Sequence, residues 1–173
     1  MLALAACGGG THHSVGASND GPAVVSSTLS VQNLKAKVLA RWQAAEDAYD
    51  GAVTNPEGPD PNDPDLDRTM IGNELEHVRA YLQLARSEGY VGRGHNGHGA
   101  PAVTALSSTQ ATVVSCLSDG TYFVVAATGK PAPGSSGNPG PTPASIRSTM
   151  VLDPLGIWRM SDSVVTEGAC SAA

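Results

Sequence analysis

The sequence predicts an α+β fold in which N-terminal helices pack on a curved antiparallel sheet. Over the first half of the chain, apolar residues recur every three or four positions, a pattern typical of helices with one buried face. After Gly89, Val, Thr, Ser and Tyr replace Leu, Glu and Arg, and this composition favours strands. The length of 173 residues suits a single domain with a substantial core.

The first helix is predicted to begin near Val31 and to end by Asn55, because Pro56 cannot continue it. Charged residues fill most of the positions outside its apolar stripe, so one face is available for a core. We expect Trp42 to be a core residue, with a place in the wall of a ligand cavity as the alternative. The full stripe consists of Val31, Leu34, Val38, Trp42, Ala45, Tyr49 and Ala52.

A second helix is predicted from about Leu66 to Glu88, after an acidic, proline-rich connector. Asp65 is the expected N-cap, and Gly89 supplies a C-terminal stop. The apolar residues of this helix also follow helical spacing: Leu66, Met70, Ile71, Leu75, Val78, Leu82 and Ala85.

The rest of the chain predicts short strands separated by Gly and Pro. Residues 118–120, Ser-Asp-Gly, predict a tight hairpin turn between two of these strands. Residues 129–144 are rich in Pro, Gly and Ser and predict a mobile loop within the domain. The predicted strands span residues 90–93, 102–106, 111–117, 121–128, 145–153, 157–161 and 164–167.

Residues 4–7, Leu-Ala-Ala-Cys, precede three glycines and resemble the lipobox of bacterial lipoproteins. In that motif a diacylglycerol is attached to the cysteine thiol, so Cys7 is the predicted lipidation site. A secretory signal has a basic segment and an apolar stretch of roughly 7–15 residues. We therefore expect residues 1–7 to be the end of a longer signal peptide that begins upstream. The alternative is that Cys7 is an ordinary thiol in a disordered tail.

These features predict a protein anchored by lipid to the extracytoplasmic face of the cell membrane. Residues 8–30 are expected to form a flexible tether, and residues 31–170 the folded domain. The sequence has no apolar run long enough to span a bilayer. Its 10 basic residues are scattered and are outnumbered by 16 acidic ones, so nucleic acid is not an expected partner.

The sequence has three cysteines, of which Cys7 lies in the lipobox-like segment and the other two lie in the predicted domain. If Cys7 carries lipid, Cys116 and Cys170 remain, and an exported protein occupies a compartment where disulfides persist. We expect these two cysteines to be bonded. The alternative is a pair of buried free thiols in a cytoplasmic protein without an anchor.

His95 and His98, in the segment His-Asn-Gly-His-Gly, are the most distinctive polar residues of the domain. Two imidazoles three positions apart could share a metal ion or move protons near neutral pH. The surrounding glycines favour a solvated loop instead, so no metal and no cofactor are expected. The sequence also lacks a nucleophile elbow, a phosphate-binding loop and an HExxH motif, which counts against a hydrolase or a nucleotide enzyme.

The order of elements resembles the nuclear transport factor 2-like superfamily, whose cone-shaped fold pairs N-terminal helices with a strongly bent sheet. The resemblance covers residues 31–170, and more narrowly the chain is similar to actinobacterial lipoproteins that join this domain to a lipobox. It is carried by residues 75–82 leading into 89–91, by the strand at 115–116, and by the closing Trp158 strand before Cys170.

The resemblance implies several functions, because superfamily members include isomerases, cyclases, dehydratases and non-catalytic modules. We expect a non-catalytic lipoprotein that binds a small apolar ligand in the cone or an envelope protein on its sheet. The alternative is an isomerase-like or cyclase-like enzyme with an acid or base inside the cone, for which Asp47 is a further candidate. A homodimer formed through the sheet is implied by analogy. The residues expected to line a pocket are Trp42, Tyr49, Tyr81, His95, His98 and Trp158.

Overall fold

The computed structural model describes residues 23–118, 120–135, 143–168 and 170. Within them, three helices pack against antiparallel sheets, which confirms the predicted α+β class. The helices are α1 Ala23–Val53, α2 Pro64–Thr69 and α3 Asn73–Ser87. The strands are β1 Tyr90–Arg93, β2 Gly97–His98, β3 Ala102–Leu106, β4 Gln110–Ser118, β5 Tyr122–Val125, β6 Pro143–Leu152 and β7 Trp158–Glu167.

Helix α1 begins at Ala23 instead of Val31, so residues 23–30 of the expected tether are helical. The sequence over these residues contains no Gly or Pro that would interrupt a helix. The helix ends at Val53, close to the predicted stop before Pro56.

The predicted second helix is divided into α2 and α3 at residues 70–72. The Ile71 amide donates a hydrogen bond to the Met160 carbonyl at 2.9 Å, and Met70 forms a parallel bridge with Met160. Gly72 follows with a φ of 62°, a conformation that glycine adopts without strain. The helix is interrupted because this stretch of backbone pairs with β7. Asp63, and not the predicted Asp65, provides the N-cap of α2.

The main sheet has five antiparallel strands in the order β2-β4-β6-β7, with β3 also paired to β4. The predicted hairpin between β4 and β5 is wrong, because β5 pairs with β1 in a separate two-stranded sheet. Strand β4 instead pairs with β2, β3 and β6 along its length. The two strands predicted at 157–161 and 164–167 form the single strand β7, with an irregularity opposite Thr149 and Met150. Residue 119, in the predicted turn, lies outside the described residues.

The predicted loop at 129–144 is partly held in place. Pro131 bridges Val124, and Ala132 is buried. Residues 136–142 lie outside the described part of the chain, and β6 begins at Pro143.

The core lies between the helices and one face of the main sheet. From Ala144 to Met150 every second residue of β6 is buried, as the two-residue period of a strand requires. The largest fully buried side chains include Trp42, Leu66, Met70, Leu82, Met150 and Met160.

Cys116 of β4 and Cys170 form a disulfide, with their Cα atoms 5.5 Å apart, which confirms the predicted pairing. The bond closes a loop with a sequence separation of 54 residues, for which chain entropy gives about 4 kcal/mol. Among the described residues, no helix has both the length and the apolar character to cross a bilayer. Cys7 and the expected signal-peptide segment lie outside the described residues.

Candidate functional site

A cavity of about 700 Å³ lies between α1, α3 and the main sheet. The helices contribute acidic side chains to its wall, among them Glu46 and Glu74, and the sheet contributes Leu117, Ile146 and Met160. Strand β7 adds Asp162, Ser163, Val165 and Glu167. The wall therefore combines apolar surface with several carboxyl groups.

Glu46 is the most unusual residue of this wall, because it lies on the buried face of α1. Its side chain is only 9% exposed. Burial, followed by the nearby carboxylates of Glu74, Asp50 and Asp47, raises the pKa of Glu46 to about 8. The Glu46 carboxyl group is therefore mainly protonated at pH 7.

His98 lies behind Glu46, on the short strand β2. Its Nε2 atom is 3.5 Å from a Glu46 carboxyl oxygen, and its ring meets the Trp42 ring edge-on, with centroids 5.1 Å apart. Neither ring nitrogen has a hydrogen-bond partner among the described residues. Burial lowers the pKa of His98, so its ring is mainly neutral at pH 7. The site thus holds two neutral titratable groups in contact.

Glu74 is the second acid of the cavity, and its carboxylate charge is better stabilised by a hydrogen bond than that of Glu46. Its carboxylate accepts a hydrogen bond from the Ser163 hydroxyl at 2.9 Å. Burial still raises the pKa of Glu74, and Asp162 adds to the effect. Two carboxyl groups with raised pKa values therefore face one cavity from different helices.

The segment that carries His95 and His98 is attached to α1. The Asn96 amide donates to the Asp50 carboxylate at 3.0 Å, and the Asn96 side-chain oxygen accepts from the Gly120 amide at 3.2 Å. A Cβ at Gly94 would collide with the Gly120 carbonyl, so glycine here permits two backbone segments to cross closely. The solvated-loop interpretation holds for His95, which is exposed, but is wrong for His98.

Only two of the six residues expected to line a pocket, Tyr49 and Tyr81, are in the cavity wall. Trp42 is fully buried, and its Nε1 donates to the Ser148 hydroxyl at 3.0 Å. Trp158 is also buried in the core, and its carbonyl accepts from Arg41 Nε at 3.1 Å.

Glu46 was missed from the sequence, although a signal for it exists. It follows Trp42 by four positions and precedes Tyr49 by three, so all three side chains share one helix face. An acid within an apolar stripe is costly to bury and therefore indicates a special environment. Among the candidates from the sequence the one carboxylic acid is the exposed neighbour Asp47.

A second, smaller cavity of about 340 Å³ lies between α3 and the β1–β5 sheet. Four aromatic residues line it, and the rings of two of them, Tyr81 and Phe123, are 5.6 Å apart. Within the described ranges, no group of three or more His, Cys, Asp or Glu side chains is arranged to hold a metal ion.

No family model and no curated protein match the chain. Among solved structures, the chain is similar to the crystal structure of the intermembrane space region of the chloroplast protein ARC6. The identity is 15% and the TM-score 0.55, over 76% of this chain and 92% of that one. A designed β-sheet protein solved by NMR matches at 16% identity and a TM-score of 0.40, over 79% of this chain and 92% of that chain. At these identities the ARC6 likeness shows a shared fold alone, and the second match is too weak to support an argument.

Proposed function

We propose that the protein is a cell-envelope lipoprotein whose nuclear transport factor 2-like domain binds a small molecule in the cavity between α1, α3 and the main sheet. Helices packed on antiparallel strands around a cavity support the cone-shaped family. The disulfide between Cys116 and Cys170 supports a location outside the cytosol, where such bonds persist. Lipid on Cys7 would hold the domain at the extracytoplasmic face of the membrane.

The cavity is the observation that carries the binding function. Its volume of about 700 Å³ falls within the range of roughly 300–1,000 Å³ of small-molecule sites. Such sites combine apolar walls with a few placed polar groups, as this wall does. A module that acted only through its surface would gain more stability from a filled core.

Binding can be tested with a neutral environment-sensitive dye such as Nile red. Val165→Trp places a bulky ring in the cavity wall, and the matched control Val164→Trp places it on the opposite face of β7. The two valines are 52% and 53% exposed. We expect wild type and Val164→Trp to bind the dye and Val165→Trp to bind roughly tenfold more weakly, or about 1.4 kcal/mol. Failure of the wild type to bind would contradict the cavity proposal and favour a surface that contacts an envelope protein.

The anchor can be tested separately by labelling with a palmitate analogue in the native host. We expect the wild-type protein to take up the label and partition with membranes, and Cys7→Ala to lose both properties. An unlabelled wild-type protein in the soluble fraction would contradict the anchor without affecting the cavity. The homodimer stays a prediction, and analytical ultracentrifugation can measure the oligomeric state.

Acid–base catalysis is the second candidate function, and Glu46 is the observation that favours it. A carboxyl group with a pKa of about 8 can donate or accept a proton near neutral pH. Hydrogen–deuterium exchange at the α-carbon of a bound enolisable ketone, followed by NMR, tests this function. An enzyme would accelerate exchange in the wild type and lose the acceleration in Glu46→Gln. Dye binding without accelerated exchange would support a binding module.

A further inference from the structure

The cavity charges indicate what kind of ligand fits: we propose that the cavity binds an organic cation with an apolar tail, whose ammonium group contacts Glu46 and Glu74. This inference rests on the proposed function, because it assumes that the cavity is a ligand site. It replaces the simple apolar ligand expected from the sequence with an amphiphilic one.

The cavity wall has an excess of acid. Four carboxyl side chains line it, and His77 is the one basic side chain among the described lining residues. Outside the cavity, several carboxylates are paired with arginine, as in Asp67–Arg79 at 2.7 Å and Asp153–Arg159 at 3.0 Å. The four acids of the wall are Glu46, Glu74, Asp162 and Glu167.

The burial of Glu46 is an observation independent of this count. Its side chain is more than nine-tenths buried, and it faces the cavity. The titratable groups around it are Asp47 and Asp50 on α1, Glu74 on α3 and His98 on β2. In the described part of the chain, no Lys or Arg lies within ion-pair distance of Glu46, and burial holds His98 in its neutral form. A buried acid without a counter-ion is destabilising, and a ligand cation would supply the missing charge.

The sheet side of the cavity provides the complementary apolar surface. Leu117, Ile146 and Met160 project from three neighbouring strands of the main sheet. A hydrocarbon chain can lie on these residues while its ammonium group reaches the two acids on the helices. An anionic ligand would be repelled by the same acids.

Binding of the cation involves one balanced proton transfer. Glu46 is protonated at pH 7, so an ammonium group that pairs with its carboxylate releases one proton from the carboxyl group to solvent. The alkylammonium ion keeps its own proton. The affinity for the cation should therefore rise with pH, by up to tenfold per unit, and level off above about pH 8.

Three probes of equal length test the inference: octylammonium, octanol and octanoate, each used to displace Nile red from the wild-type protein. At pH 8.5 we expect octylammonium to bind roughly tenfold more tightly than octanol, and octanoate to bind most weakly. Calorimetry at pH 7 in two buffers of different ionisation enthalpy should show release of about one proton per octylammonium bound.

Glutamine variants locate the charge that is responsible. Glu46→Gln and Glu74→Gln should each reduce the preference for octylammonium over octanol several-fold, and Glu46→Gln should abolish the proton release. Glu76→Gln is the matched control, because Glu76 is an exposed acid of α3 that does not line the cavity. Dye binding by each variant verifies that the fold is intact.

The outcomes separate the two proposals. Equal affinity for the three probes, or a preference for octanoate, would overturn the cation inference while dye binding kept the cavity as a ligand site. Loss of the preference in Glu76→Gln as well would also overturn it. Failure of the wild type to bind the dye would overturn both proposals.

Discussion

Trp42 and Glu46 stand one helical turn apart on the same buried face of α1, yet their surroundings differ. Trp42 is fully buried, and its one polar atom donates a hydrogen bond to Ser148. The Glu46 side chain is only 9% exposed, and the acids around it all oppose its ionisation. A buried polar atom with a partner is compatible with stability, whereas a buried acid among acids is not. The difference separates a residue that maintains the fold from one for which we propose a role in ligand binding.

The largest expected effect is the loss of the Trp42 side chain. Trp42→Ala removes the largest fully buried side chain of the core, and we expect the free energy of unfolding to fall by about 3–5 kcal/mol. Urea denaturation at pH 7 measures this change. The neighbouring exposed Gln43→Ala is the control and should change stability by less than about 1 kcal/mol. A cost below about 1 kcal/mol for Trp42→Ala would contradict a structural role.

Glu46→Gln should stabilise the protein at high pH. The pKa of Glu46 is about 8 in the fold against an ordinary value of 4.5, so the wild type loses stability as the pH rises between these values. The amide cannot ionise, and we expect the variant to be more stable than the wild type by about 2–4 kcal/mol at pH 9, with little difference near pH 4.5. His98 is present in both the wild type and the variant, so its own titration does not distinguish their stabilities. Urea denaturation from pH 4.5 to 9 measures the difference, and parallel stability curves would contradict the burial of an ionisable Glu46.

A smaller effect is expected at Ser148. Ser148→Ala leaves the Trp42 Nε1 hydrogen unpaired in the core and should cost about 1–2 kcal/mol. Adding Trp42→Phe removes the unpaired donor, so the double variant should lose less than the sum of the single changes. Additive losses in urea denaturation would mean that the hydrogen bond contributes nothing measurable.

The sequence predicted the parts of the fold that depend on local periodicity. Helix α1 from Val31 onward, the position of Trp42 in the core and strand β4 follow from apolar spacing alone, whereas the helical residues 23–30 were expected to be a tether. The break at Met70 does not, because it depends on pairing with Met160, far along the chain. The pairing of β5 with β1 is also non-local, and a short turn between β4 and β5 was a misleading signal.

The candidate site was less predictable than the fold. Tyr49 was identified from its place in the apolar stripe of α1, and Tyr81 from the family resemblance, which implies a Tyr, His or Asp inside the cone. Glu46 was missed although its place on the same helix face as Trp42 is visible in the sequence, and the Glu74 carboxylate that helps to raise its pKa comes from another helix, which only the tertiary fold brings near. His98 was also misjudged. Its segment is joined to α1 by the hydrogen bond from Asn96 to Asp50, whereas the glycines of the segment favour a solvated loop.

A carboxyl ¹³C NMR titration of Glu46 tests the account most directly, with Glu46→Gln used to assign the signal. The structure predicts a midpoint near pH 8 for the free protein, and addition of octylammonium should move that midpoint downward. A midpoint close to the ordinary glutamate value of 4.5 would show that Glu46 is solvated and would contradict the account.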